Sequence, residues 1–182
     1  QIVKEAEKNP ELWPSWKKKD DEFKTSLGAK NIDWIIEEAQ FIKDLKLLGG
    51  EPSVQPEVKQ LLQKLIDIDN TKIKIFVTTN GTNVNNEFFN LLKKFDDVSI
   101  SVSIDSHPNK LEYIRGGANG KKIWENIKKI SEMSWPDIMR LDTTQVVMSY
   151  NLFDFWELGK LVEETYWISS HRSWMVYTPL HH

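Results

Sequence analysis

Residues 72–105 read KIKIFVTTNGTNVNNEFFNLLKKFDDVSISVSID. Lys72 to Thr78 is β-branched and aromatic, which is strand composition, and Asn80-Gly81 is a pair that ends a strand in a turn. Phe88, Leu91, Leu92 and Phe95 then recur at helical spacing. Val98 to Ile104 returns to small and β-branched residues, a second strand. A strand, a helix and a strand in such close succession form a unit whose two strands lie parallel, joined by a right-handed crossover.

The alternation continues outward in both directions. Upstream, Trp34, Ile35, Ala39 and Ile42 mark a helix behind Asn31 and Asp33, either of which is a candidate cap. A short apolar run predicts a strand at 44–48, stopped by Gly49-Gly50. Pro56 then opens a helix with Val58, Leu61, Leu62 and Leu65 on one face, ended by Asp69-Asn70. Downstream, Ile123, Trp124, Ile127 and Ile130 mark another helix, and a strand is expected at 140–148. Asn151 is expected to cap a helix carrying Phe155, Leu158 and Val162. The last strand is expected at 173–178, stopped by Pro179.

The fold class is therefore α/β, with a parallel sheet and helices outside it. Alternation alone leaves an open doubly wound sheet and a barrel both possible. In either, chemistry gathers at the carboxyl ends of the strands. Residues 1–31, with Pro10, Trp13, Pro14 and Trp16, show no strong period and are read as a connecting segment, with 32–182 as the core.

Composition narrows the function. A chain of 182 residues with a net charge of −3 gives no electrostatic case for nucleic acid or an anionic membrane. The basic run Lys17-Lys18-Lys19 is followed at once by Asp20, Asp21 and Glu22, a solvated charged turn. No apolar stretch approaches the ~20 residues that span a bilayer. The absence of cysteine excludes disulfides, thiolate nucleophiles and iron–sulfur ligation within these residues, and is compatible with a cytoplasmic location. The four histidines have no matching carboxylate spacing, so no metal site is expected.

The strand ends carry the candidate site. Gly49-Gly50-Glu51-Pro52 follows the first strand; the glycines let backbone approach a ligand, and the carboxylate suits an ammonium group. The plain alternative is a strand-ending turn. Thr79-Asn80-Gly81-Thr82 follows the second, and here the alternative is a turn with Asn80 and Gly81 at positive φ. Ser103 and Asp105, two apart, are placed on one side of the third strand, suited to ribose hydroxyls or an amino-acid headgroup. A local side chain–backbone turn is the alternative there. Arg115, in Tyr113-Ile114-Arg115-Gly116-Gly117, is either a carboxylate partner or a surface arginine. Asn151 is either a ligand or a cap.

Taken in order, Gly-Gly-Glu-Pro, Thr-Asn-Gly and Ser-x-Asp at three successive strand ends resemble the radical S-adenosylmethionine superfamily. The Tyr-Ile-Arg-Gly segment with Trp124 and Asn126-Ile127 behind it resembles the branch bearing SPASM or twitch auxiliary domains. The resemblance covers roughly residues 32–180. It implies a partial (β/α)₆ barrel of parallel strands, with the first strand missing. It also implies S-adenosyl-L-methionine as cofactor: Gly49, Gly50 and Glu51, with Pro52 after them, meet its amino group. Asn80 stands at the neighbouring strand end. Ser103 and Asp105 contact its ribose or carboxylate, Arg115 the carboxylate, and Asn151 with Tyr177-Thr178-Pro179 border the adenine side.

One departure bears on activity. The family's Cys-x-x-x-Cys-x-x-Cys loop, which ligates a [4Fe–4S] cluster, is absent. Either these residues are a fragment of a longer enzyme, or the protein is a cluster-less binding module of the same fold. The start on Gln1 and the end on Leu180-His181-His182 favour a fragment. Its parent is expected to cleave the cofactor and begin radical chemistry on a peptide or small metabolite; this chain alone is expected to show no redox chemistry. An unrelated nucleotide-binding α/β domain is the third reading, and neither G-x-x-x-x-G-K-[ST] nor G-x-G-x-x-G follows a strand.

Overall fold

The computed structural model describes residues 29–135, 138–147, 151, 153–166 and 175–179. Five strands, β1 (Asp44–Leu47), β2 (Lys74–Thr79), β3 (Asp97–Ser103), β4 (Ile138–Val147) and β5 (Met175–Pro179), form one sheet in the order 1-2-3-4-5. Every neighbouring pair is parallel, as the alternation predicts. The helices are α1 (Ala29–Glu37), α2 (Pro56–Asp67), α3 (Asn86–Leu92), α4 (Leu111–Ile114), α5 (Gly120–Ser131) and α6 (Asp154–Tyr166), with 3-10 turns at Ala39–Phe41 and Pro52–Val54. No helix among the described residues is long and apolar enough to cross a membrane.

Strand register sorts the side chains onto two unlike faces. Leu47 lies across from Val77, Val77 from Ile100 and Ile100 from Leu141, and all are buried in the core. Leu61, Leu62 and Leu65 of α2, Phe88, Phe89 and Leu92 of α3, and Ile123, Ile127 and Ile130 of α5 join the same cluster. The helices therefore cover this face. The alternate residues form an open, polar face: Lys46 lies across from Phe76, Phe76 from Ser99 and Ser99 from Arg140. One step nearer the carboxyl end, Thr78 faces Ser101 and Ser101 faces Asp142.

Several sequence expectations change. Helix α1 begins at Ala29, so Asn31 and Asp33 sit within it instead of capping it, and Ile32 is buried. The strand at 175–179 includes Pro179, whose missing N–H is tolerated at an edge. Helix α6 starts at Asp154, so Asn151 lies short of the cap position; its carbonyl accepts from the Asp154 N–H at 3.0 Å. Residues 1–28, most of the expected connecting segment, lie outside the described residues.

Candidate site at the carboxyl ends of the strands

β1 gives way to Gly49 and Gly50, at φ 83° and 40°, a region that side-chain-bearing residues rarely enter. This reversal sets Glu51 at the rim between β1 and β2. Its Oε1 accepts from Ser53 Oγ at 2.8 Å, Thr79 Oγ1 at 2.7 Å and Ser53 N at 3.3 Å, while Oε2 accepts from Asn80 N at 2.9 Å. The Ser53 bond caps the 3-10 turn that Pro52 opens. One carboxylate thus ties the two strand ends together; among the described residues it accepts three bonds on Oε1 and one on Oε2, and Oε2 keeps a lone pair.

The next turn is held as tightly. Asn80 Oδ1 accepts from Thr82 N and Oγ1 at 2.9 and 2.6 Å. Gly81 has φ 69°, and a Cβ there would stand 2.9 Å from Val102 Cγ1; Asn80 itself stays out of the positive-φ region. Asn126 of α5, buried among isoleucines, donates its Nδ2 to Gly81 O at 2.9 Å.

A second knot forms past β3. That strand ends at Ser103, so its alternation does not carry on to Asp105. Buried Asp105 accepts from Arg115 Nε at 2.6 Å on Oδ2, and Arg115 Nη1 donates to Ser103 O at 3.1 Å. Arg115 therefore pairs with a carboxylate of its own chain. The Asp105 carbonyl accepts from Gln145 Nε2 at 3.0 Å and Asn151 Nδ2 at 2.7 Å, fastening β4 and the approach to α6. Close by, Asp154 accepts from Ser106 Oγ at 2.7 Å and Lys110 Nζ at 2.5 Å. Burial pushes the Asp154 carboxyl up, but these bonds outweigh it and leave the group below its ordinary value.

Thr79 pairs with Val102 and Ser103 with Thr144, so the two knots occupy one end of the sheet. Gly49, Gly50, Glu51, Pro52 and Asn80 gather in the first, and Ser103, Asp105, Arg115 and Asn151 in the second. Thr178 lies in β5 opposite Val146, and its side chain is outside the described residues. Sequence reasoning gave no site role to Ser53 or Gln145, and named Thr79 and Asn126 only within their motifs. Asn126 had a readable signal, a polar residue on the apolar stripe of Ile123, Ile127 and Ile130.

Just below this rim the open face carries hydroxyls and one carboxylate. Ser101 Oγ and Thr144 Oγ1 share a hydrogen bond at 2.5 Å. Burial raises the Asp142 carboxyl above its usual value, and a Ser101 hydrogen bond offsets only part of the rise. A separate groove between α2 and α3, beside Gln63 and Asn90, lies on the outer surface, and its Lys59–Glu87 pair at 2.5 Å is a surface ion pair.

A parallel α/β sheet with its polar knots at the carboxyl ends of the strands defines the class: a partial barrel. The sequence profile of the Radical SAM superfamily matches residues 15–162, and the chain belongs to that superfamily. No curated protein matches the chain. Among solved structures the chain is similar to Streptococcus suis SuiB, with a TM-score of 0.67 at 18% identity, over 88% of this chain and 35% of that one. SuiB bound to S-adenosylmethionine gives a TM-score of 0.65 at 18% identity, over 85% and 34%. SuiB bound to precursor peptide SuiA gives 0.62 at 20%, over 82% and 32%. The chain spans about a third of the length of these structures, and likeness at this identity carries the fold.

Proposed function

We propose that this chain is the S-adenosylmethionine-holding part of a radical SAM enzyme. The observation that carries the reading is Glu51: a fixed carboxylate, beside two glycines at positive φ, at the strand-end rim. That rim fits an amino-acid headgroup. The carboxylate takes the ammonium on Oε2, which among the described residues accepts only from Asn80 N, and the glycine backbone leaves room for close approach. Ser103, the Asp105–Arg115 pair and Asn80 take the ribose and carboxylate side, while Asn151 and Thr178 border the base. When bound, the cofactor supplies the radical chemistry of the family. The chain's own residues bind it, orient it and fix the loops around it.

A thiolate-held [4Fe–4S] cluster does not fit these 182 residues, which contain no cysteine, and no electron-transfer step is assigned to them. The longer parent is the place for it. Substrates of the peptide or small-metabolite class fit the reading, with the peptide favoured by the SuiA-bound neighbour. The Tyr113–Gly116 segment favours the SPASM or twitch branch. The reading also places the protein in the cytoplasm, away from nucleic acid and membrane. The second reading, a cluster-less binding module, is favoured by the same absence of cysteine; finding three upstream cysteines spaced three and two apart in the gene would exclude it.

Calorimetric titration of the chain with S-adenosylmethionine tests the proposal. Saturable binding is expected, weakened about tenfold or more in Glu51→Gln, which loses the charge at nearly constant shape. No binding, or equal affinities, overturns it.

A further inference from the structure

Of the buried or half-buried carboxylates of the sheet and its rim, among the described residues, three come with a cation, Glu51 is held on both oxygens by hydroxyl and amide donors, and Asp142 has neither arrangement. Asp105 has Arg115 at 2.6 Å, Asp154 has Lys110 at 2.5 Å, and Asp97 has Arg140 at 2.8 Å and Lys74 at 3.7 Å. Asp142 has only the Ser101 hydroxyl, and its Oδ1 is buried with no hydrogen-bond partner among the described residues. An uncompensated carboxylate out of water is unfavourable, and stability alone does not select it.

Its position gives the reason. Register places Asp142 on the open face beside Ser101, which faces Thr78, directly below the level of Ser103 and Thr144. All these neighbours are half-buried and present hydroxyls. The charged groups on the same face are Arg140, Asp97, Lys74, Lys46 and Asp44. They lie further from the rim: Arg140 and Lys74 pair with Asp97, and Lys46 lies over the Phe76 ring at 5.7 Å.

We infer that Asp142, with Ser101 and Thr78 beside it, is the substrate subsite beneath the cofactor rim, and that it takes a cationic nitrogen, an ammonium or guanidinium group. This rests on the S-adenosylmethionine reading for the word substrate, but not for the binding of the cation. A cation arriving at Asp142 supplies the missing charge, and the hydroxyls of Ser101, Thr78 and Thr144 surround its remaining N–H groups.

The test uses the 182-residue chain labelled with ¹³C at aspartate carboxyls, the Asp142 resonance being the one lost in Asp142→Asn. The probes are n-butylammonium chloride, n-pentanol as its uncharged counterpart, and S-adenosylmethionine. The ammonium is expected to lower the Asp142 titration midpoint while pentanol leaves it unchanged. Its affinity is expected to fall about tenfold or more in Asp142→Asn. S-adenosylmethionine should bind without displacing it. The inference is overturned if the ammonium leaves the resonance unmoved, if pentanol moves it equally, or if S-adenosylmethionine competes with the ammonium, which would give the carboxylate to the cofactor. If S-adenosylmethionine fails to bind while the ammonium still titrates Asp142, the cation subsite stands and the cofactor reading falls. Should Asp142→Asn not fold, Ser101→Ala must weaken the ammonium's effect on the wild-type resonance; an undiminished effect overturns the subsite.

Discussion

Replacing Glu51 by alanine removes the acceptor of two hydroxyls that water does not reach: Ser53 is 0% and Thr79 2% exposed. Their bonds to Oε1, at 2.8 and 2.7 Å, have no evident substitute in the rim. A buried donor left unsatisfied costs about 1–3 kcal/mol, so two give roughly 3 kcal/mol. The Ser53 N–H, in the same buried residue, loses its 3.3 Å acceptor as well, while the half-buried Asn80 N–H can turn to water. For a domain of this size roughly 3 kcal/mol corresponds to a melting temperature lower by about 6–12 °C. Urea denaturation of the ligand-free chain, followed by circular dichroism, reads the value directly. Thr79→Val removes the same bond from the other side, and the double variant should fall short of the sum by about 1 kcal/mol. A Glu51→Ala chain within about 0.5 kcal/mol of wild type, the range of an ordinary surface change, would refute the reasoning. The result also governs any binding assay: Glu51→Ala damages the rim itself, so Glu51→Gln is the cleaner probe of charge.

Three further outcomes follow from the packing and the titrating groups. Gly120→Ala places a Cβ 2.0 Å from the Pro108 carbonyl oxygen, and because backbone must move, a loss of about 2 kcal/mol or more is expected in the urea midpoint. Asp154 sits below its unfolded value, so its contribution is present above about pH 4 and is lost as pH falls through the folded value. Lys110→Met leaves burial unopposed by that cation, and acid unfolding should begin at higher pH, a shift absent if the pair is idle. Asp142 is the opposite case: its folded value is raised, so its contribution is present in acid and lost as pH rises through that value. Asp142→Asn should therefore raise the urea midpoint at pH 7 and give little gain below about pH 4, and a destabilised variant at pH 7 counts against the unpaired carboxylate.

The strands were legible because β-branched runs such as Val98–Ile104 have one plausible conformation. The helices were legible because Leu61, Leu62 and Leu65 keep a helical period. Helix α4, four residues long, is too short to show any period. Asn31 and Asp33 carry capping chemistry but sit beside Ile32, whose burial in the core draws the helix start back to Ala29. At the site, Glu51 was visible as a carboxylate after two glycines. Thr79 was not, because its bond to Glu51 joins residues 28 apart in the chain. Arg115 was visible as a pairing group, but its partner Asp105 is decided by where β3 stops. Asp142 sits in Arg140-Leu141-Asp142-Thr143-Thr144, where strict alternation is blurred by Thr143, buried on the helix side.

The strand order has a consequence for how the chain assembles. Because each strand pairs with the next in sequence, the first contacts join Asp44 to Lys74, Ile75 to Val98, Asp97 to Ile138 and Thr143 to Met175, separations of 30, 23, 41 and 32 residues. Loop-closure entropy grows only as the logarithm of length, so the longest and shortest of these closures differ by about 0.5 kcal/mol. No pairing waits on a distant one, and none is entropically forbidding. The sheet can grow outward by single steps from the β2–α3–β3 unit, where closure is shortest and Val98, Ile100 and Val102 are shielded from water. Each later strand finds a finished edge to join.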